Sequence, residues 1–239
     1  MTLDIQKETL LIIPLYNEEK TITQVVKTVQ KYFLGNILII NDGSTDNSIE
    51  KIKKCQCILR NINILSHQKN EGYGQALIDG FSQALTHDYN YAITMDCDLQ
   101  HEPSHIPELL AEIKKYDIVS GSRYLEESYN NSTPPKDRLK INHIITNKIN
   151  AITGYKLTDA FCGFKAYRMS VLKNMNLSEK GYGFPLQFWI QVFKNKLSVK
   201  ELPISRIYLN LDRTFGNDLD NPDLRLKYYE KILEKEIAL

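Results

Sequence analysis

Two carboxylates separated by a single residue, Asp96-Cys97-Asp98, follow directly on the apolar run Tyr91-Ala-Ile-Thr-Met95. A run of that kind reads as a buried strand, which sets both acids just beyond its carboxyl end. At i, i+2 spacing they can share one divalent cation, and Gln100 continues the alternation with a third oxygen. Mg²⁺ or Mn²⁺ prefers oxygen ligands and keeps positions open for phosphate oxygens. A site of this type would neutralise a nucleoside diphosphate as it departs. His101 follows, where a surface imidazole in the next turn is expected over a ligand or a base.

Three other segments make a related demand. In Ile13-Pro-Leu-Tyr-Asn-Glu18, Pro14 is expected to stop the strand ladder and Asn17 to cap a helix begun by Glu18. Tyr16 could stack on a base and Glu18 could accept from ribose or base donors, although a capped helix start explains the same residues. In Ile40-Asn-Asp-Gly-Ser-Thr-Asp46, Asp42 and Gly43 make a tight turn, and the residues from Ser44 to Asp46 supply caps. Asp42 at a strand tip also suits hydrogen bonds to a base or ribose. In Asn70-Glu-Gly-Tyr-Gly-Gln-Ala76, Leu77 stands where a third glycine would complete a dinucleotide fingerprint. The chain also lacks a Gly-x-x-x-x-Gly-Lys loop, so dinucleotide oxidoreductases and P-loop nucleotidases fit poorly. Gly72 and Gly74 read as close-packing and helix-entry residues, and Lys69 can approach a phosphate.

Regular elements must hold these tips together. Strands are expected at 9–13, 36–40, 62–66, 91–95 and 117–120, with helices near 18–32, 46–54, 72–86 and 104–115. Apolar strands alternating with helices predict a Rossmann-like, mostly parallel α/β sheet with helices on both faces, and ligands at the strand carboxyl ends. Residues 126–135 read as a loop. A helix from Asp137 carries Ile141, Ile144, Ile145, Ile149 and Ile152 at helical spacing, flanked by Lys136, Arg138, Lys140 and Lys148. Its basic face could lie on an anionic membrane, but burial of the isoleucines in the core is the preferred reading. Further strands are expected near 163–167 and 198–202, and helices at 185–194 and from Pro222. Tyr182, Phe184, Phe188 and Trp189 read as core.

The 239 residues suffice for one domain with a sizeable core. A formal net charge of +1 gives no field for nucleic acid. The four cysteines show neither Cys-x-x-Cys nor zinc-like spacing and read as free thiols. The amino terminus lacks signal-peptide organisation, and no apolar stretch approaches the ~20 residues of a membrane span. The expectation is a cytoplasmic protein, with peripheral attachment at the cytoplasmic membrane face or a membrane-protein partner left open.

Taken in order, Pro-x-Tyr-Asn-Glu, Asn-Asp-Gly-Ser-Thr-Asp, Asn-Glu-Gly-Tyr-Gly-x-Ala, Asp-x-Asp-Leu-Gln-His and Gly121-Ser-Arg-Tyr124 resemble the family 2 glycosyltransferases. Within that family the pattern is similar to the polyprenyl-phosphate (dolichyl-phosphate) sugar transferases. The likeness continues through Thr158-Asp-Ala-Phe-Cys-Gly-Phe-Lys-Ala-Tyr-Arg168, Glu201-Leu-Pro203 and Arg213-Thr-Phe-Gly216. It implies a glycosyltransferase-A fold in a single domain, residues 1–123 serving nucleotide-sugar and metal and 124–239 the acceptor. It implies donor contacts at Pro14, Tyr16, Glu18, Ile40 and Asp42, a metal at Asp96, Asp98 and Gln100, and backbone from Cys97 to the nucleotide. Arg123 and Arg213 would face the diphosphate or an acceptor phosphate, a task suited to a planar, permanent cation. Polyprenol members often continue the late arginine as Gly-x-Ser-Lys, whereas Asn-Asp-Leu-Asp220 follows Gly216 here.

The implied reaction is inverting transfer from a nucleotide-sugar of the GDP-mannose or UDP-glucose type to a polyprenyl phosphate. A phosphate acceptor is already anionic and needs no general base, whereas a sugar hydroxyl would. Asp159 could orient the acceptor, act as that base, or cap the strand near 163–167. A glycan or glycolipid hydroxyl as acceptor, and a non-catalytic nucleotide-sugar-binding protein, are the alternatives.

Overall fold

The computed structural model describes residues 2–59, 61–126, 128, 132–208 and 214–239. Seven strands form one sheet: β1 (Thr9–Leu15), β2 (Asn36–Asn41), β3 (Ile62–Ser66), β4 (Tyr91–Thr94), β5 (Ile118–Ser122), β6 (Lys165–Arg168) and β7 (Val199–Pro203). Their order is β3-β2-β1-β4-β6-β5-β7. Every pairing is parallel except those of β6, which runs antiparallel to both β4 and β5. The parallel half needs crossover helices, and the sequence supplies them between successive strands.

Alternation along β1 shows why both faces are covered. Leu11, Ile13 and Leu15 enter one core, Leu10 and Ile12 the other. The first core is closed by α1 (Thr2–Lys7), α2 (Ile22–Val29), α3 (Ser48–Ile58) and, after a 3₁₀ turn at Pro103–His105, α5 (Ile106–Glu112). The second is closed by α4 (Tyr73–Thr86), α6 (Lys136–Thr153), the short α7 (Met169–Leu172), α8 (Phe184–Lys194) and α9 (Pro222–Ala238). In α6 the residues Ile141, Ile145 and Ile149 are buried while Lys140 and Lys148 are exposed, the pattern of a core helix. Lys148 pairs with Glu230 of α9 at 2.7 Å. Among the described residues no helix is long and apolar enough to cross a membrane.

Three local expectations fail. Pro14 lies inside β1, opposite Ile40, and the strand continues to Leu15. Pairing of β1 with β4 has already ended at Ile12 and Thr94, so the proline sits where only one neighbour remains and its missing N–H costs little. Asn17 caps no helix: α2 begins at Ile22, and Asn17 adopts φ 53°. Its side-chain oxygen instead accepts from the N–H groups of Thr45 (2.8 Å) and Asp46 (3.3 Å). With Glu18 N–H on Ser48 Oγ (2.9 Å) and Glu19 N–H on Asp46 Oδ2 (3.0 Å), the loops after β1 and β2 become one unit. His101 is buried and stacked on Phe164, ring centroids 5.3 Å apart.

Candidate active site

A cleft of about 580 Å³ opens along the carboxyl ends of β1, β2, β4 and β5, where Leu15, Asp42, Asp96 and Arg123 reach it. Open α/β sheets bind ligands on this rim because loops leave neighbouring strands in different directions there.

The acidic tip after β4 forms its floor. Asp96, Cys97, Asp98 and Gln100 all line the cleft. The backbone holds their spacing: Gln100 N–H reaches Asp98 Oδ1 at 3.0 Å, Leu99 takes φ 63°, and Cys97 Sγ–H points to Pro14 O at 3.1 Å. The Asp96 N–H donates to His101 Nδ1 at 3.2 Å. Burial lowers the imidazole's pKa further than Asp96 and Asp98 raise it, so the ring is neutral near pH 7 and its lone pair accepts. His101 therefore shapes the tip from beneath. Among the described residues no three His, Cys, Asp or Glu side chains converge as a closed metal cage. Two carboxylates and an amide oxygen along a cleft wall fit a hard divalent ion whose remaining positions go to phosphate oxygens.

On one side of this floor lie Pro14, Leu15, Tyr16, Glu18, Asp42 and Asn70. Tyr16 is 46% exposed, a large aromatic face presented to solvent. Asp42 is buried and already accepts from Glu71 N–H (2.8 Å), Gly72 N–H (2.9 Å) and His67 Nδ1 (2.7 Å), so it also organises the loop leading into α4. Ile40 and Lys69 are not brought to the cleft. The Ile40 side chain alternates into the second core, fully buried, and Lys69 is exposed beyond the Gly43 turn.

On the other side, cations alternate with rings. Arg123, Arg138 and Arg225 share the wall with Tyr124, Phe161, Tyr182, Phe215 and Tyr229. Arg123 is held by Asp159, which is fully buried: Nε donates at 2.6 Å and a terminal nitrogen at 2.9 Å, a bidentate pair. Asn142 Nδ2 (2.7 Å), Arg123 N–H (3.2 Å) and Phe161 N–H (3.3 Å) complete the Asp159 shell. Burial alone would raise this carboxyl, but the Arg123 charge and these hydrogen bonds outweigh it and hold its pKa below the usual range. In this geometry Asp159 holds Arg123 and has no oxygen left to take a proton from an acceptor. Arg213 lies outside the described residues.

Arg225, only 2% exposed, pairs with Asp137 at 2.5 Å, and its guanidinium lies 4.3 Å from the Phe215 ring centroid. Arg138 approaches the same ring at 5.1 Å. Arg225 is a residue the sequence reading passed over. Arg138 was read only as part of a basic helix face, since nothing local shows that α6 and α9 meet. Tyr182, read as core, is 37% exposed on the wall, while Phe184, Phe188 and Trp189 are buried behind it. Tyr73 was hidden inside the glycine motif, where only the glycines drew attention; its hydroxyl reaches Asp96 Oδ1 at 3.1 Å.

Comparison with known proteins gives this architecture a family. The profile described as "Glycosyl transferase family 2" matches residues 10–175. UDP-N-acetylglucosamine–dolichyl-phosphate N-acetylglucosaminyltransferase of Methanococcus voltae is 32% identical over 228 residues, covering 87% of this chain and 89% of that protein. Polyprenol monophosphomannose synthase of Mycolicibacterium smegmatis is 28% identical over 205 residues, 83% of this chain and 77% of that protein. Among solved structures, glucosyl-3-phosphoglycerate synthase from Mycobacterium tuberculosis, with Mn²⁺, UDP and phosphoglyceric acid, superposes with a TM-score of 0.73. It covers 100% of this chain and 83% of that one at 15% identity, a likeness of fold. The fold is thus of the glycosyltransferase-A type, and the chain belongs to glycosyl transferase family 2, as a glycosyltransferase enzyme.

Proposed function

We propose that the enzyme moves a sugar, with inversion, from a nucleotide-sugar onto a polyprenyl phosphate. The observation that carries this reading is a cleft with two kinds of lining. The acidic tip at Asp96 and Asp98 shares it with Arg123, Arg138 and Arg225, each set beside an aromatic ring. Carboxylates suit a metal-bound diphosphate; guanidinium groups suit a phosphate, and rings with Ile141 suit the first isoprene units behind it. The names of the Methanococcus and Mycolicibacterium relatives, a dolichyl-phosphate transferase and a polyprenol monophosphomannose synthase, support the same acceptor class.

In this reading Asp96, Asp98 and Gln100 hold Mg²⁺ or Mn²⁺, which when bound supplies charge neutralisation for the leaving diphosphate. Tyr16, Glu18 and Asp42 seat the nucleoside, with Pro14 and the Cys97 backbone closing around it. Arg123, fixed by Asp159, and Arg138 orient the acceptor phosphate. Its oxygen attacks the anomeric carbon as the bond to the diphosphate breaks, and the nucleoside diphosphate leaves. Positioning and fixed charge supply the acceleration. The engaged state of Asp159 favours a phosphate acceptor, which arrives already ionised, over a hydroxyl that needs a base. An acceptor of this kind brings the enzyme to a membrane surface peripherally, alone or through a membrane protein.

The test is transfer of radiolabel from GDP-mannose, UDP-glucose and UDP-N-acetylglucosamine, with Mn²⁺, to polyprenyl phosphate in detergent. Label extracted into organic solvent supports the reading. Label confined to water-soluble glycan, with polyprenyl phosphate untouched, overturns it.

A further inference from the structure

The tips of β2 and β4 are not neighbours, because β1 runs between them. Their acidic residues are nonetheless tied to consecutive residues of one helix start. Gly72 N–H donates to Asp42 Oδ2 at 2.9 Å, and the Tyr73 hydroxyl donates to Asp96 Oδ1 at 3.1 Å. Gly72 has φ 110°, and the helix α4 begins at Tyr73. One rigid element therefore sets the relation between the nucleoside side of the cleft and its acidic floor.

The Tyr73 hydroxyl is itself aimed. Its ring stacks on Tyr182 with centroids 6.1 Å apart and planes at 14°. The loop bearing Tyr182 is fastened to α4 by Gln75 N–H on Lys180 O at 3.0 Å. On the far side, Gly163 leaves the space the contact needs. A Cβ there would fall 2.5 Å from Asp96 Oδ2 and 2.9 Å from the Tyr73 oxygen, so any side chain at this position must displace one of them. The Gly163 carbonyl is fixed in turn by the Thr94 hydroxyl at 2.7 Å. The Asp96 carboxylate is thus gripped on Oδ1 by a phenol, bounded on Oδ2 by bare backbone, and anchored at its N–H by His101.

We propose that Tyr73 is a positioning residue for the divalent cation: its hydroxyl fixes the rotamer of Asp96 at the cleft, with Gly163 as the space that permits it. This rests on the reading of Asp96 and Asp98 as metal ligands. Hydrogen bonds that orient metal-binding carboxylates are commonly worth 10–100-fold in metal affinity. Tyr73→Phe keeps the ring and its stack and removes only the donor.

Binding of Mn²⁺, alone and with added UDP or GDP, is followed by the electron paramagnetic resonance signal of the free ion. Wild type and Asp96→Asn establish the site. Tyr73→Phe should weaken Mn²⁺ binding by roughly 10–100-fold and change the spectrum of the bound ion. The thermal midpoint without metal should stay near that of wild type. Gly163→Ala should act in the same direction through displacement of Asp96. If Asp96→Asn abolishes Mn²⁺ binding while Tyr73→Phe leaves affinity within twofold of wild type, the positioning role is refuted and the metal site stands. If wild type takes up no Mn²⁺ with either nucleotide, the metal-site reading fails, and this inference with it.

Discussion

Replacing Asp159 by Asn is the perturbation whose outcome the geometry fixes most tightly. The side chain keeps its shape, but its NH₂ must then face the Arg123 guanidinium, a donor against a donor. Four groups now donate to this carboxylate: the Arg123 side chain at 2.6 and 2.9 Å, the Arg123 N–H at 3.2 Å, Asn142 at 2.7 Å and Phe161 N–H at 3.3 Å. Breaking a buried ion pair typically costs about 3–5 kcal/mol. The Arg123 side chain keeps 15% exposure at the cleft, so water relieves part of its charge and the lower end, about 3 kcal/mol, applies. For a chain of this length that is a fall of roughly 6–12 °C in thermal midpoint. The pH dependence has a definite sign. Asp159 has a depressed folded pKa, so its stabilisation is present above about pH 4 and lost as pH falls through the folded value. Wild type should therefore lose its margin over the Asn variant on acidification. The double replacement Arg123→Met with Asp159→Leu should recover much of the midpoint while remaining inactive. Calorimetry from pH 3 to pH 7 reads all three. A single Asn variant within about 1 kcal/mol of wild type at pH 7 would show that the Arg123–Asp159 pair does not carry this stability.

Three more outcomes follow from other parts of the site. Asp98→Asn should lower sugar transfer by roughly 10²–10³-fold, as removal of one charge stabiliser does, with the fold retained by circular dichroism; turnover at the wild-type rate would remove Asp98 from the chemistry. Arg138→Gln should raise KM for polyprenyl phosphate roughly 10–100-fold, the range of a charge-assisted hydrogen bond, and leave KM for the donor unchanged; equal shifts in both constants would place Arg138 elsewhere. His67 sits between Asp42 at 2.7 Å and Asp79 at 3.0 Å. Burial lowers its pKa, but the Asp42 hydrogen bond and the charges of Asp42, Asp79 and Glu71 raise it above 6.5 on balance. Its stabilisation is complete below pH 6.5 and lost as pH rises through the folded value, so urea midpoints should decline across that range and flatten in His67→Gln.

The parallel half of the sheet was readable because buried parallel strands leave continuous apolar runs: the reading of 36–40 falls within one residue of β2, buried from Ile37 to Asn41. Strand tips carry the polar residues, so the acidic floor was legible as well. What escaped depends on tertiary contact. Pro14 looks like a stop until one knows that β4 has already left its side. His101 looks like a surface ring until Phe164, sixty-three positions on, is found beneath it. Arg225 and Asp137 are separated by 88 residues and meet only because α6 and α9 pack together. Tyr182 follows the same rule in reverse, an aromatic among core aromatics that faces outward because the turn before α8 lifts it onto the wall.

In the proposed reaction the acidic floor and the cleft arginines bring a metal-bound diphosphate and an acceptor phosphate together. Crystals grown with Mn²⁺ and UDP or GDP, measured at the manganese absorption edge, test it most directly. One anomalous peak bounded by Asp96 and Asp98 is expected, with a diphosphate bound to it and the nucleoside against Tyr16 and Asp42. Nucleotide seated in the cleft with the manganese elsewhere, or with both carboxylates turned from the diphosphate, would contradict it.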